Sequence, residues 1–184
     1  DGEKITAVKW LLDNIAHRPE ALDYPVFRIE NRDLLTTLGL EESKGFRYSY
    51  RELYPKLSNL DGVARAAYAK SEKQRDLYDR QVIKITNKLY LYQNVLSSFE
   101  DPSGIPQEQL MSTAQNYMRL ENYSLPLIIP PSSGNPRWRP LMSTLLATHP
   151  SMSQVIPGHD ISADPLAMHM AVMLAAYKAG DAEL

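Results

Sequence analysis

Between Asp61 and Phe99 the chain carries no proline, and its one glycine there, Gly62, stands at the start. Tyr78, Val82, Ile85, Leu89, Tyr92, Leu96 and Phe99 recur in this stretch at alternating steps of four and three, which draws one apolar seam along a helix. Lys70, Lys73, Arg75, Asp79, Arg80, Lys84 and Lys88 fall mostly off the seam. A continuous helix of about 39 residues at ~1.5 Å each would reach about 60 Å, more than a domain of this size uses, so a break near Lys70 to Lys73 is predicted. Asp61 is the predicted N-cap.

Ahead of it, Ile5, Val8, Leu11, Leu12 and Ile15 share one face of a helix from Lys4 to His17, which Pro19 closes, with Trp10 flanking that face. After Pro25 the residues Val26 to Glu30 alternate as in a short strand, and Gly45 to Tyr50 alternate again, which makes the two segments partners. A helical piece from Arg32 to Leu38, capped by Gly39, separates them. Ser49-x-x-Glu52 is a capping box leading into a helix from Glu52 to Leu60.

Beyond the long helix, two prolines and a glycine between Pro102 and Pro106 enforce a loop. Gln107 to Leu120 returns as a helix with Leu110, Ala114, Tyr117 and Met118 at core spacing. This returning helix and the terminal helices are the expected cover of the long seam. Five prolines between Ser124 and Pro140 exclude a helix there. Leu141 to Ala147 is a short helix, and Asp164 followed by Pro165 is a strong start signal for the last one, with Met168, Val172, Ala175 and Ala176 facing the core. The fold class expected is mainly α: a helical bundle around one long helix, with a minor two-stranded or extended N-terminal element. All of 1–184 forms a single domain in three stretches, 1–60, 61–123 and 124–184.

Composition changes this picture little. The hydrophobic share of 43% and charged share of 23% are those of a globular chain, and 11 Tyr against 3 Phe gives many aromatics a wet edge. A net charge of -2 and pI near 6.1 argue against nucleic acid as a partner, since phosphate neutralisation needs a basic face. With no cysteine, disulfides, thiolate metal sites, Cys nucleophiles and covalent haem attachment are excluded. No apolar stretch of about 18 residues is present. The first residues, Asp1-Gly2, fit a processed protein or an excised domain of a larger, membrane-bound polypeptide.

Candidate chemistry is sparse. His17, His149, His159 and His169 form no metal-binding spacing. His159, Asp160, Asp164 and His169 can be drawn as an acid/base cluster, but loop and cap roles explain them as well. Met168, Met170 and Met173 around His169 have the residue types of a haem or copper site, and equally of a helical core. Ser132-Ser133-Gly134 and Ser151-Met152-Ser153 match no nucleophile elbow. Glu41-Glu42 and Asp76 with Asp79 read as solvated surface carboxylates. No catalytic residue, metal site or cofactor is expected. The one binding candidate is Arg137-Trp138-Arg139, set between Pro136 and Pro140, as a contact for a protein partner, because Trp and Arg are enriched at binding hot spots. The alternative is that Trp138 plugs a gap between loop and core. Tyr48, Tyr50 and Tyr54 pose the same choice.

Two stretches carry a resemblance: Pro25 to Leu53, with VFRIxNxxLLxxLGL and FRYSYxEL, and Arg75 to Gln93, with LYDRxVxxxxxKLxLYQ. Their order resembles the extracytoplasmic soluble region of cytochrome c assembly membrane proteins of the CcsA/ResB type, as in planctomycete-like bacteria. That family's tryptophan-rich haem-handling motif and membrane histidines have no counterpart here, so no functional residue carries over. The resemblance implies a non-catalytic domain on the periplasmic face of the membrane, acting in scaffolding or in interaction with a protein partner, other parts of its own polypeptide included; direct haem binding is not expected. The competing expectation is a soluble helical enzyme or small-ligand-binding protein with a site between the proline-rich loop and the last helix, using His149, His159 or His169. Haem held by His169 and a Met is a third.

Overall fold

The computed structural model describes residues 5–121, 125–132, 136–149 and 164–180, and for 117–121 the backbone alone. The core positions expected at Tyr117 and Met118, and the segments Ser133-Gly134, Ser151-Met152-Ser153 and His159-Asp160, lie outside what is described. The protein is mainly α with one small two-stranded antiparallel sheet. Its contacts divide into two compact units. One comprises residues up to Trp10 with Arg18–Gln93, the other Leu11–His17 with the chain from Asn94 onward.

In the first unit, strand β1 (Phe27–Arg28) pairs with β2 (Arg47–Tyr48), Phe27 opposite Tyr48. Helix α2 (Arg32–Leu38) links them. Asn31 caps its first turn by accepting from the Leu34 amide, and Gly39 ends it at φ +61°, a left-handed turn that glycine enters without steric cost. Leu34, Leu35 and Leu38 are buried, as are Phe27, Ile29 and Tyr48. The Tyr48 hydroxyl donates to the Glu41 carbonyl at 2.8 Å, which fixes the loop between α2 and β2.

The Ser49/Glu52 box opens helix α3 (Tyr50–Leu53). Pro55 lies in the tight turn that follows, and the chain then re-enters helix as α4 (Leu57–Ala69). Asp61 is therefore inside α4 rather than its cap, because Pro55 moves the helix start upstream. The predicted break is present: after Ala69, a turn at Glu72–Gln74 precedes α5 (Leu77–Ser98). Asp76 and Asp79 build the new start reciprocally. Asp76 accepts from the Asp79 amide at 2.8 Å, and Asp79 accepts from the Asp76 amide at 3.0 Å. Asp79 is buried and also takes Lys70 at 2.7 Å, so it is not the solvated carboxylate its neighbours suggest. The Lys70 hydrogen bond holds its carboxyl below the usual range.

Hydrogen bonds from Tyr68 to Asn87 (2.6 Å) and from Tyr90 to Asp61 (3.2 Å) set α4 and α5 antiparallel. Along the seam Val82, Ile85, Leu89 and Tyr92 are buried. Tyr92 meets Phe27 edge-on at 5.3 Å between ring centroids, Tyr50 at 4.9 Å and Trp10 at 6.4 Å. Its neighbours are thus N-terminal aromatics, not the returning helix, and burial pushes its hydroxyl pKa up to about 12. Tyr48 and Tyr50 are core; Tyr54 is exposed.

In the second unit, α6 (Gln107–Glu121) places Leu110 and Ala114 against Leu125, Met142 and Leu146, the last two from α7 (Leu141–Ala147). The last helix, α8 (Pro165–Ala179), buries Ala167 beside Ile129, Leu141 and Leu145, with Met170, Ala171 and Leu174 at the edge of that cluster. The expected face is wrong here: Met168, Val172 and Ala175 point outward. The helix has no formal charge between Pro165 and Tyr177, so polarity cannot choose a side, and small Ala167 and Ala171 allow the closer approach. The first helix, α1 (Ala7–Ile15), departs from expectation in the same sense. Val8 is 67% exposed and Leu11 44%, whereas Asp13, Asn14 and Ala16 are buried. Tyr177 explains it by donating its hydroxyl to Asp13 at 2.8 Å, which satisfies a buried carboxylate.

Leu89→Ala is expected to cost about 2–5 kcal/mol in urea unfolding, and Leu91→Ala, two residues on but 62% exposed, less than about 0.5 kcal/mol. Equal costs would contradict the placement of the seam.

Candidate functional site

The proline-rich segment is held by its own backbone. Ile129 and Arg139 exchange N–H···O bonds of 2.9 Å in an antiparallel bridge. The bridge sorts the three candidate residues. Arg137 is exposed, Trp138 is 55% exposed and does not plug the core, and Arg139 turns inward. Its Nη2 donates to Asp164 Oδ2 at 2.6 Å and to the Pro130 carbonyl at 3.4 Å. Asp164 is at the same time the N-cap of α8, its Oδ1 accepting from the Leu166 and Ala167 amides at 3.1 and 3.2 Å. Burial opposes ionisation of this carboxyl, but the Arg139 hydrogen bond, the two amides and the Arg139 charge outweigh it and hold the pKa below the usual range.

The ion pair sets exposed Trp138 at the N-terminal end of α8. From there α8 exposes Leu166 and Met173 along one side and Met168 and Val172 along another, all 42 to 61% exposed. Apolar groups left exposed together with a tryptophan are typical of interaction surfaces.

Beside α8 lie two cavities. The inner one, about 330 Å³, has walls from Phe99, Leu141, Leu145 and Leu174 and a polar end from His17, Glu100, Asp101 and Lys178. The outer one, about 440 Å³, is lined by Pro102, His149, Met168 and Val172 among others and is mostly apolar. Asp101, Leu145, Ala171 and Ala175 line both. His17 ends α1 in a left-handed conformation, φ +54°. Its pKa is lowered by burial; Lys178 acts in the same direction, while Glu100 and the backbone at Leu96 and Phe99 oppose. Nε2 of His17 is buried with no hydrogen-bond partner among the described residues.

The histidines named for a site beside the last helix are not brought together within the described residues. His149 lines the outer cavity, His169 is exposed and lines neither, and His159 lies outside what is described. The histidine that does line the inner cavity, His17, comes from the opposite end of the chain, and only its place before Pro19 marks it in the sequence. Glu42 is taken up by Arg32 at 3.1 Å. Among the described residues no group of three or more His, Asp or Glu is placed to hold a metal ion, and no helix is long and apolar enough to cross a membrane. Comparison with protein-family models, with curated proteins and with solved structures finds no match to this chain.

Because the native pKa of His17 lies below 6.5, the unfolded chain binds the extra proton first. Stability is therefore full above about pH 6.5 and falls as pH drops from there toward the native pKa. His17→Asn, which tolerates the left-handed backbone, is expected to flatten this part of the pH profile of unfolding. At the other end of the unit, Asp164→Ala removes both the cap and the partner of Arg139 and is expected to cost about 2 kcal/mol or more in urea unfolding. Asp164→Asn, which keeps a capping oxygen, is expected to cost less.

Proposed function

We propose that this chain is a non-catalytic extracytoplasmic domain of a membrane-bound cytochrome c assembly protein, and that it acts by holding a protein partner against Trp138 and the side of α8 that carries Leu166 and Met173. The observation that carries the interaction role is the exposure of Trp138, next to the Arg139–Asp164 pair, and of Leu166 and Met173, which share one side of α8. Trp138 on a strap already ordered by its bridge loses little freedom on docking. The assignment to cytochrome c assembly is supported by the two stretches that carry the resemblance. They fold together in one unit, where Tyr78 donates to Thr37 at 3.2 Å and Gln93 to Tyr50 at 3.0 Å. Joint packing is what a transferable fold unit requires.

The test is genetic and biochemical. Removing the coding segment in the organism of origin is expected to deplete haem-stained c-type cytochromes. Trp138→Ala with Met173→Asp is expected to reproduce much of that loss while the protein accumulates at its usual level. Unchanged cytochromes after the deletion would overturn the assembly role. Normal cytochromes in the double variant would overturn the surface.

A further inference from the structure

Within the first unit, α4 and α5 enclose a groove of about 290 Å³ lined by Asp61, Ala64, Arg65, Tyr68, Thr86 and Tyr90. Ala64 and Thr86 are its buried members, and the Thr86 hydroxyl has no hydrogen-bond partner among the described residues. Native structures pair such groups almost always, so this one calls for an explanation. Tyr68 and Tyr90 are half-exposed rings with both hydroxyls tied, to Asn87 and to Asp61. Asp61 and Arg65 stand one turn apart on α4, the spacing of a helical ion pair, yet their side chains form none. Arg65 Nε turns instead to the Asp61 carbonyl at 3.3 Å, and Asp61 Oδ1 takes the Tyr90 hydroxyl at 3.2 Å. Direct pairing on an exposed helix face is worth little, which leaves both charges open to a third group.

We propose that this groove binds a free α-amino acid with a polar side-chain tip: the carboxylate on Arg65, the ammonium on Asp61 and the tip at Thr86. An α-amino acid carries both charges on one carbon, so one small molecule bridges the anion and the cation that the helix keeps apart. The planar guanidinium of Arg65 can donate two parallel N–H···O bonds to a carboxylate. Asp61 has one oxygen engaged by Tyr90 and keeps the other for an ammonium, which offers three donors and no acceptor. Two charges at defined points make the selection: either end of a peptide carries only one of them. The volume, at the lower bound of small-molecule sites, suits a single residue. Rings already held by their hydroxyls lose little freedom when a side chain enters, and the tip supplies the partner that Thr86 lacks. The proposal rests neither on Trp138 nor on the cytochrome c assignment.

Tyrosine-ring NMR on the whole chain tests it, with L-glutamine as the probe, because its amide tip both donates and accepts. Glutamine is expected to shift the Tyr68 and Tyr90 ring signals saturably and to leave Tyr177, in the other unit, in place. N-acetyl-L-glutamine lacks the ammonium and L-glutaminamide the carboxylate, and each is expected to bind at least about tenfold more weakly, the scale of one lost charge contact. Arg65→Gln, at an exposed position, is expected to weaken glutamine to the same degree. Thr86→Val keeps the side-chain shape and removes the unpaired hydroxyl, so the urea midpoint is expected to stay or rise. The same variant is expected to weaken glutamine about fivefold and to leave L-norleucine, which has no polar tip, unaffected. No saturable shift with glutamine, equal binding of either blocked form, or full glutamine affinity in Thr86→Val would each overturn the proposal. So would D-glucose shifting the same rings as strongly, which would assign the groove to uncharged polyols.

Discussion

One carboxylate joins the two least regular parts of the second unit. Asp164 uses Oδ1 to start α8 and Oδ2 to hold Arg139, so a single ionised group closes a helix end and anchors a proline-rich strap. The two roles are not independent. Protonating the carboxyl weakens the cap and also strands a guanidinium whose Nε is already buried without a partner among the described residues. An ion pair this withdrawn from water stabilises little beyond its own desolvation cost, but losing one partner leaves the other charge poorly compensated. What it fixes is the position of Trp138 relative to the first turn of α8.

The first unit solves a different problem. Its elements are short, two-residue strands and helices of four to thirteen residues, and few would persist alone. The upper part of α5 supplies the surface they share. Tyr92 touches three aromatic rings, and polar ties from α5 reach α2, α3 and α4 through Tyr78, Gln93 and Asn87. Aromatic contacts of this kind contribute about 0.5–1.5 kcal/mol each beyond the area they bury, and they fix orientation as well. Tyrosine suits this role better than phenylalanine, since at Tyr48 and Tyr50 the ring packs while the hydroxyl also makes a hydrogen bond.

Local chemistry was legible in the sequence and long-range choice was not. Gly39, Ser49 with Glu52, and Asp164 with Pro165 act within a turn or two of chain, and each marks the helix end it seemed to mark. The faces of α1 and α8 failed because each helix carries apolar groups on more than one side. Their orientation was settled by Asp13 finding Tyr177, a partner 164 positions away. The same holds for function. For Trp138 the sequence left two readings open, and only the fold exposes it, while the inner cavity draws its polar end from His17, Glu100 and Lys178, which no spacing connects. Asp79 was misjudged for the same reason, as its burial depends on Lys70 and on the break between α4 and α5.

His17 has a consequence for anyone who would strengthen this protein. A side chain with a β-carbon in the left-handed region costs about 1–2 kcal/mol, less for the few types that visit it readily, and glycine would relieve that strain. Glycine would also strip the imidazole from the inner cavity and open its wall. Thermal robustness and the shape of the inner cavity therefore pull against each other at this one position, so selection for heat resistance alone favours variants that have lost this wall.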